Sequence, residues 1–147
     1  MRGLSRFGSF VAVAALGVAV VGCSSSSSSP SAPPAAADGS VAVKLSEWAV
    51  APAVSESVAG PVTFALTNAG EQMHEFVVVK TDLKADALPV VDNKIDESAL
   101  TAVDEVEDIA VGATPKLTVD LEPGHYVLLC NIETHYGLGM HADFTVK

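Results

Sequence analysis

From Ser40 to the C-terminus, apolar and polar residues alternate with a period of two, and each run stops at Gly, Pro, Asn or Asp. No other feature constrains the fold as much. Successive side chains of a strand point to opposite faces, so this alternation marks strands with one wet face. "VAVKL" puts Val41, Val43 and Leu45 on one face, and "PVTFALTN" sets Val62, Phe64 and Leu66 against Thr63 and Thr67. In "KLTVDL", Leu117, Val119 and Leu121 alternate with Thr118 and Asp120; "HEFVVVK", "HYVLLC" and "HADFTVK" continue the theme. Six or seven such strands in about 108 residues predict an all-β domain, a single antiparallel β-sandwich with Greek-key connections. A chain of 147 residues suits one such domain rather than two.

One segment breaks the rhythm. Residues 81–108 carry nine acids against two lysines, and "DESALTAVDEVEDI" reads as a short helix with Asp96 near its start or as polar loop. We expect an acidic excursion from the sandwich. It is either a solubilising surface loop or a docking patch for a basic partner, the latter with a salt-sensitive association rate.

The N-terminus differs in kind. Arg2 and Arg6 precede an apolar run from Phe10 to Val21, which falls short of the roughly 20 residues that span a bilayer but suits the core of a signal peptide. It ends in "VVGC", which resembles the lipobox of bacterial lipoproteins; the other reading is an ordinary secretory signal whose Cys follows a Gly. The resemblance implies a signal peptide over 1–22, cleavage before Cys23 and a lipid on its sulfur. Residues 23–39 are Ser, Pro and Ala with almost no apolar bulk, and read as a flexible tether. Its r.m.s. reach is about 5–6 Å × √17, roughly 20–25 Å. The domain is then 40–147, extracytoplasmic and lipid-anchored to a bacterial membrane.

Charge narrows the partners. The chain has 18 acidic and 8 basic residues, for a net charge of −10, and loss of Arg2 and Arg6 takes it to −12. Scattered Lys and Arg offer no basic patch, so nucleic acid is not expected. If Cys23 is lipidated, Cys130 is the one thiol left in an often oxidising compartment, and metal ligation would protect it.

Cys130 opens "CNIETHYGLGM", which brings Cys130, His135 and Met140 into eleven residues. The stretch joins the apolar strand "HYVLLC" to the strand "HADFTV", so it reads as a ligand loop between two strands. A fourth donor should come from another strand, and His74 in "NAGEQMHEF" is the candidate, presented by a turn at Asn68 and Gly70. Two imidazoles, a thiolate and a weak thioether suit copper in both oxidation states. Zinc would take the His and Cys donors but has no use for a distant Met, and an iron–sulfur cluster wants more cysteines. His125 is expected to be exposed, and His141 to face away from Met140. Trp48 reads as core or rim.

These motifs resemble the cupredoxin family of type 1 blue copper proteins over about Ser40 to Lys147, in the long-loop form of rusticyanin and auracyanin. The resemblance implies one type 1 copper ion with His74, Cys130 and His135 equatorial and Met140 axial. Two positions depart from the long-loop pattern. Glu133-Thr134 stands where Pro-Gly usually precedes the second His, and Glu75 where Asn or Ser usually follows the first; Glu75 is expected to point to solvent.

The resulting function is one-electron transfer between redox partner proteins at the membrane, by a monomer. Its contact surface would be the acidic excursion or an apolar patch around an exposed His135. The alternative is copper acquisition, delivery or buffering, favoured only by Met73 beside His74. A Cys–His hydrolase fits poorly, because Cys130 ends a strand with no helix following, and no enzymatic activity is expected.

Overall fold

The alternating runs become strands in a computed structural model, which describes residues 39–147. The signal segment 1–22, Cys23 and the tether up to residue 38 lie outside the described residues. β1 (Val41–Ser46) and β2 (Ala49–Pro52) form a hairpin, and the chain then crosses to the far edge of the second sheet as β3 (Glu56–Ser57). It returns as β4 (Gly60–Asn68), which lies beside β1, and β9 (Lys116–Leu121) completes a four-stranded sheet of order β2-β1-β4-β9. The second sheet has β5 (His74–Lys80), β8 (Thr101–Ile109), β10 (Gly124–Leu129) and β11 (His141–Val146), in the order β3-β11-β10-β5-β8. The expected sandwich is present, with mixed sheets. Because the β3 crossover brings the chain back in its original direction, β1 pairs with β4 in parallel, and β3 likewise with β11.

The wet and dry faces fall where the alternation puts them. Phe64 and Leu66 of β4, Phe76 and Val78 of β5, and Tyr126 and Leu128 of β10 fill the space between the sheets. The Phe64 ring meets Phe76 at 5.3 Å and Phe144 at 5.5 Å. On the outer side, the Thr63 and Thr118 hydroxyls hydrogen-bond at 2.8 Å. β5 and β10 are apolar on both faces, and that predicts a cover for the second one.

The acidic excursion is that cover. Val77, Val79, Val127 and Leu129 pack outward against Ala85, Leu88 and Ile95 of the excursion and against Tyr136. Burying Leu88 and Ile95 stabilises the fold by about 1.5–3 kcal/mol each. A small hairpin, β6 (Val90–Val91) with β7 (Lys94–Ile95), turns at Asp92 and Asn93, whose φ of 50° and 63° are those of a two-residue turn with both central residues left-handed. The expected helix is a single 3₁₀ turn, Glu97–Ala99, capped by the Asp96 carboxylate on the Ser98 N–H. The rest of that stretch is β8, the edge strand beside β5. The free edge of β5 and the β-branched Thr101, Val103 and Val106 outweigh the helical reading.

Candidate metal centre

His74 is the first residue of β5, and Cys130 directly follows β10, its antiparallel neighbour, so both lie at one end of the sandwich. His135 and Met140 sit on the loop that returns the chain to β11. The donor atoms of His74, Cys130 and His135 all lie within 4.8 Å of one another. The Cys130 sulfur is 3.4 Å from His135 Nδ1, and the two imidazole centroids are 5.4 Å apart. Met140 is fully buried; its carbonyl accepts from the Cys130 N–H at 3.0 Å, and its own N–H donates to the His135 carbonyl at 3.1 Å. The loop thus closes on itself, with Thr134 at φ 72° and Gly139 at φ 115° as its left-handed corners. A Cβ on Gly139 would also press on the Trp48 carbonyl, at 3.3 Å.

The His74 side is held as firmly. The buried Asn68 amide donates to the Gln72 and Ile109 carbonyls, both at 2.8 Å, and its oxygen accepts from the Gly70 N–H at 3.0 Å. That network is the turn expected at Asn68 and Gly70. The His74 ring itself is wholly buried, and among the described residues neither ring nitrogen has a hydrogen-bond partner. Nε2 lies 3.1 Å from Glu47 Oε1 but off the direction a hydrogen bond requires. Buried unpaired nitrogens are costly, about 1–3 kcal/mol each. A bound cation would relieve that cost.

Electrostatics favour the same ligand. Burial holds both imidazoles below the usual histidine range, His135 further through repulsion from His74, while Glu47 offsets part of the effect at His74. Neutral imidazoles offer lone pairs. Burial pushes the Cys130 thiol up, so without a cation it keeps its proton and metal binding must displace it. The Glu75 N–H donates to the Cys130 sulfur at 3.3 Å, which would help hold a thiolate there. A His₂Cys set with a buried Met beside it fits copper better than zinc or a hard cation.

Several expectations need adjusting. His135 is 5 % exposed, not open to solvent: Trp48, itself 37 % exposed, lies edge-on to its ring at 4.9 Å. Trp48 is therefore rim. Glu75 does not point to open solvent. It is half-buried on the outer face of β5, where its carboxylate lies within 4.8 Å of those of Glu97 and Glu105. Burial, then Glu105 and Glu97, pushes it up to about 7. His125 bonds the Thr81 carbonyl and Asp143, and His141 packs its ring on Tyr136 at 4.8 Å; both lie outside the donor cluster.

Two residues that no spacing announces also shape the site. Glu47 stands behind His74. Asn131, next to Cys130, accepts from the Ile95 N–H at 2.6 Å and donates to the Ile95 carbonyl at 3.2 Å, pinning the ligand loop to the excursion.

No protein-family model and no curated protein matches the chain. Solved structures do. The dithionite-reduced auracyanin of the photosynthetic bacterium Roseiflexus castenholzii is 21 % identical at a TM-score of 0.54, over 78 % of this chain and 99 % of that one. Auracyanin A, a "blue" copper protein of Chloroflexus aurantiacus, is 19 % identical at 0.52, over 74 % and 98 %. Reduced rusticyanin, solved by NMR, is 20 % identical at 0.53, over 73 % and 75 %. The chain has the cupredoxin fold, that of the auracyanins and rusticyanin, with His74, Cys130, His135 and Met140 gathered at one end of it.

Proposed function

We propose that the protein is a blue copper electron carrier that binds one type 1 copper ion. His74, Cys130 and His135 would hold the ion, with Met140 as a weaker fourth donor. The observation that carries this reading is the buried cluster of two imidazoles and a thiol within 4.8 Å, in which His74 Nδ1 has no hydrogen-bond partner among the described residues. When bound, the ion supplies a one-electron Cu(I)/Cu(II) couple. The chain's part is to keep its donors still: Asn68 fixes the turn before His74, and backbone hydrogen bonds among Cys130, His135 and Met140 fix the loop. Donors that do not move keep the reorganisation cost of electron transfer low. Trp48, packed on His135 and reaching solvent, marks the side on which a partner would come nearest the ion. We propose no catalytic reaction.

Delivery to a membrane fits the rest of the sequence. Lipidated at Cys23 and tethered by 23–39, the domain would work outside the cytoplasm as a monomer, beside membrane redox partners. Copper delivery or buffering is the second reading, favoured by Met73, which is exposed beside His74. Loading with Cu(II) followed by reductant separates the two. A carrier keeps its copper through repeated cycles of reduction and oxidation, whereas a delivery protein yields Cu(I) to a competing chelator within minutes.

A further inference from the structure

Glu47 lies in the turn between β1 and β2, yet its carboxylate reaches across to the loop before His74. The Glu71 N–H donates to both of its oxygens at 3.0 Å, and the Gln72 N–H to Oε1 at 2.8 Å. The fit is close on the other side too. A Cβ on Gly70 would lie 2.5 Å from Oε1 and 2.6 Å from Oε2, so the carboxylate fills the space that a larger residue would need. Two N–H groups making three contacts seat the carboxylate, and it presents Oε1 3.1 Å from Nε2 of the fully buried His74.

We infer that Glu47 is the positioning residue of the metal centre: its carboxylate accepts a hydrogen bond from the Nε2–H of His74, fixes the ring tautomer and leaves Nδ1 as the donor to the ion. The inference rests on the copper reading above. For this the ring must turn about its bond to Cβ so that the N–H lines up with Oε1. Carboxylates behind ligating imidazoles fix ring orientation and raise ligand basicity, and such partners commonly matter 10–100-fold in affinity. Here the carboxylate also brings a negative charge near a buried centre, where it favours Cu(II) over Cu(I). Glu47 therefore lowers the reduction potential, and the loop contacts with Glu71 and Gln72 hold that charge in place.

The test compares the wild-type protein with Glu47→Gln and Gly70→Ala. Glu47→Gln removes the charge with little change in shape; Gly70→Ala keeps the charge but pushes it off its seat. Two quantities are read: the reduction potential of the copper-loaded protein, and the His74 tautomer of the metal-free protein from ¹⁵N NMR of the ring. We expect a wild-type ring protonated at Nε2. In Glu47→Gln the Cu(II)/Cu(I) preference should fall about tenfold, equivalent to 59 mV for one electron, with the potential moving up. Gly70→Ala should move it the same way and blur the tautomer. Wild-type potential and tautomer in both variants would overturn the inference and leave Glu47 as a loop tie. A wild-type protein without a thiolate-to-copper band would instead remove the copper reading beneath it, whatever the variants showed.

Discussion

Thr134 shows how the ligand loop tolerates an unusual residue. Its φ of 72° is a left-handed value that β-branched residues rarely adopt, at a cost of about 1–2 kcal/mol. It occupies the place where the long-loop pattern has Gly, the residue that adopts such a φ without strain. The Thr134 N–H donates to the Asn93 carbonyl at 2.9 Å, so the tip of the excursion helps hold the strained corner. Thr134→Gly should relieve the strain and lose part of the gain to the freer unfolded chain, for a net stabilisation of up to about 1 kcal/mol. Urea unfolding of the metal-free protein checks it, and a clear loss of stability would contradict it. Glu75 carries the pH dependence at this scale. Its folded value, about 7, lies above the ordinary 4.5, so between those values the folded state binds more protons than the unfolded one. Glu75's share of the stability then falls as pH rises through that window, by on the order of 2 kcal/mol, while His74 and His135, which bind protons more readily in the unfolded chain, add stability over the same range. Glu75→Gln should remove the falling share and leave stability rising more steeply with pH than in the wild type, as measured by urea midpoints of the metal-free protein from pH 4.5 to 7.

At the scale of elements, the excursion and the ligand loop form one mechanical unit. The Tyr136 hydroxyl donates to the Ala85 carbonyl at 2.7 Å and accepts from the Leu88 N–H at 3.0 Å, both in the second core. Asn131 makes the matching bonds to Ile95. Tyr136→Phe should strand two buried backbone groups and cost about 1–3 kcal/mol in thermal unfolding. The copper-loaded protein should remain blue, since no donor is touched. Period-two patterning made β1, β4, β5, β9, β10 and β11 legible, because each buries one or both faces against a sheet. It failed at β8, where nearly every side chain is exposed and only pairing with β5 holds the strand extended. Acidic residues along that edge also discourage a second chain from pairing there. The parallel pairing of β1 with β4 was equally hidden, since register and direction depend on the β3 crossover, two residues with little pattern of their own.

For the whole molecule, the candidate site was more legible than the scaffold around it. Cys130, His135 and Met140 are close in sequence, and His74 follows a turn signal, so the donor set could be read directly. The roles of Glu47 and Asn131 depend on contacts between strands and loops far apart in the chain, and no local spacing reports them. A bound ion should also stabilise the fold as a whole. At a free concentration a hundredfold above Kd, binding to the native state alone adds about 2.7 kcal/mol, which thermal unfolding with and without the ion would read. A copper centre built on the Cys130 thiolate is tested most directly by the visible absorption spectrum of the Cu(II)-loaded protein beside Cys130→Ala. It predicts an intense thiolate-to-copper band in the wild type that bleaches reversibly on reduction and is absent from the variant. A colourless wild-type protein, or a band that survives loss of Cys130, would contradict it.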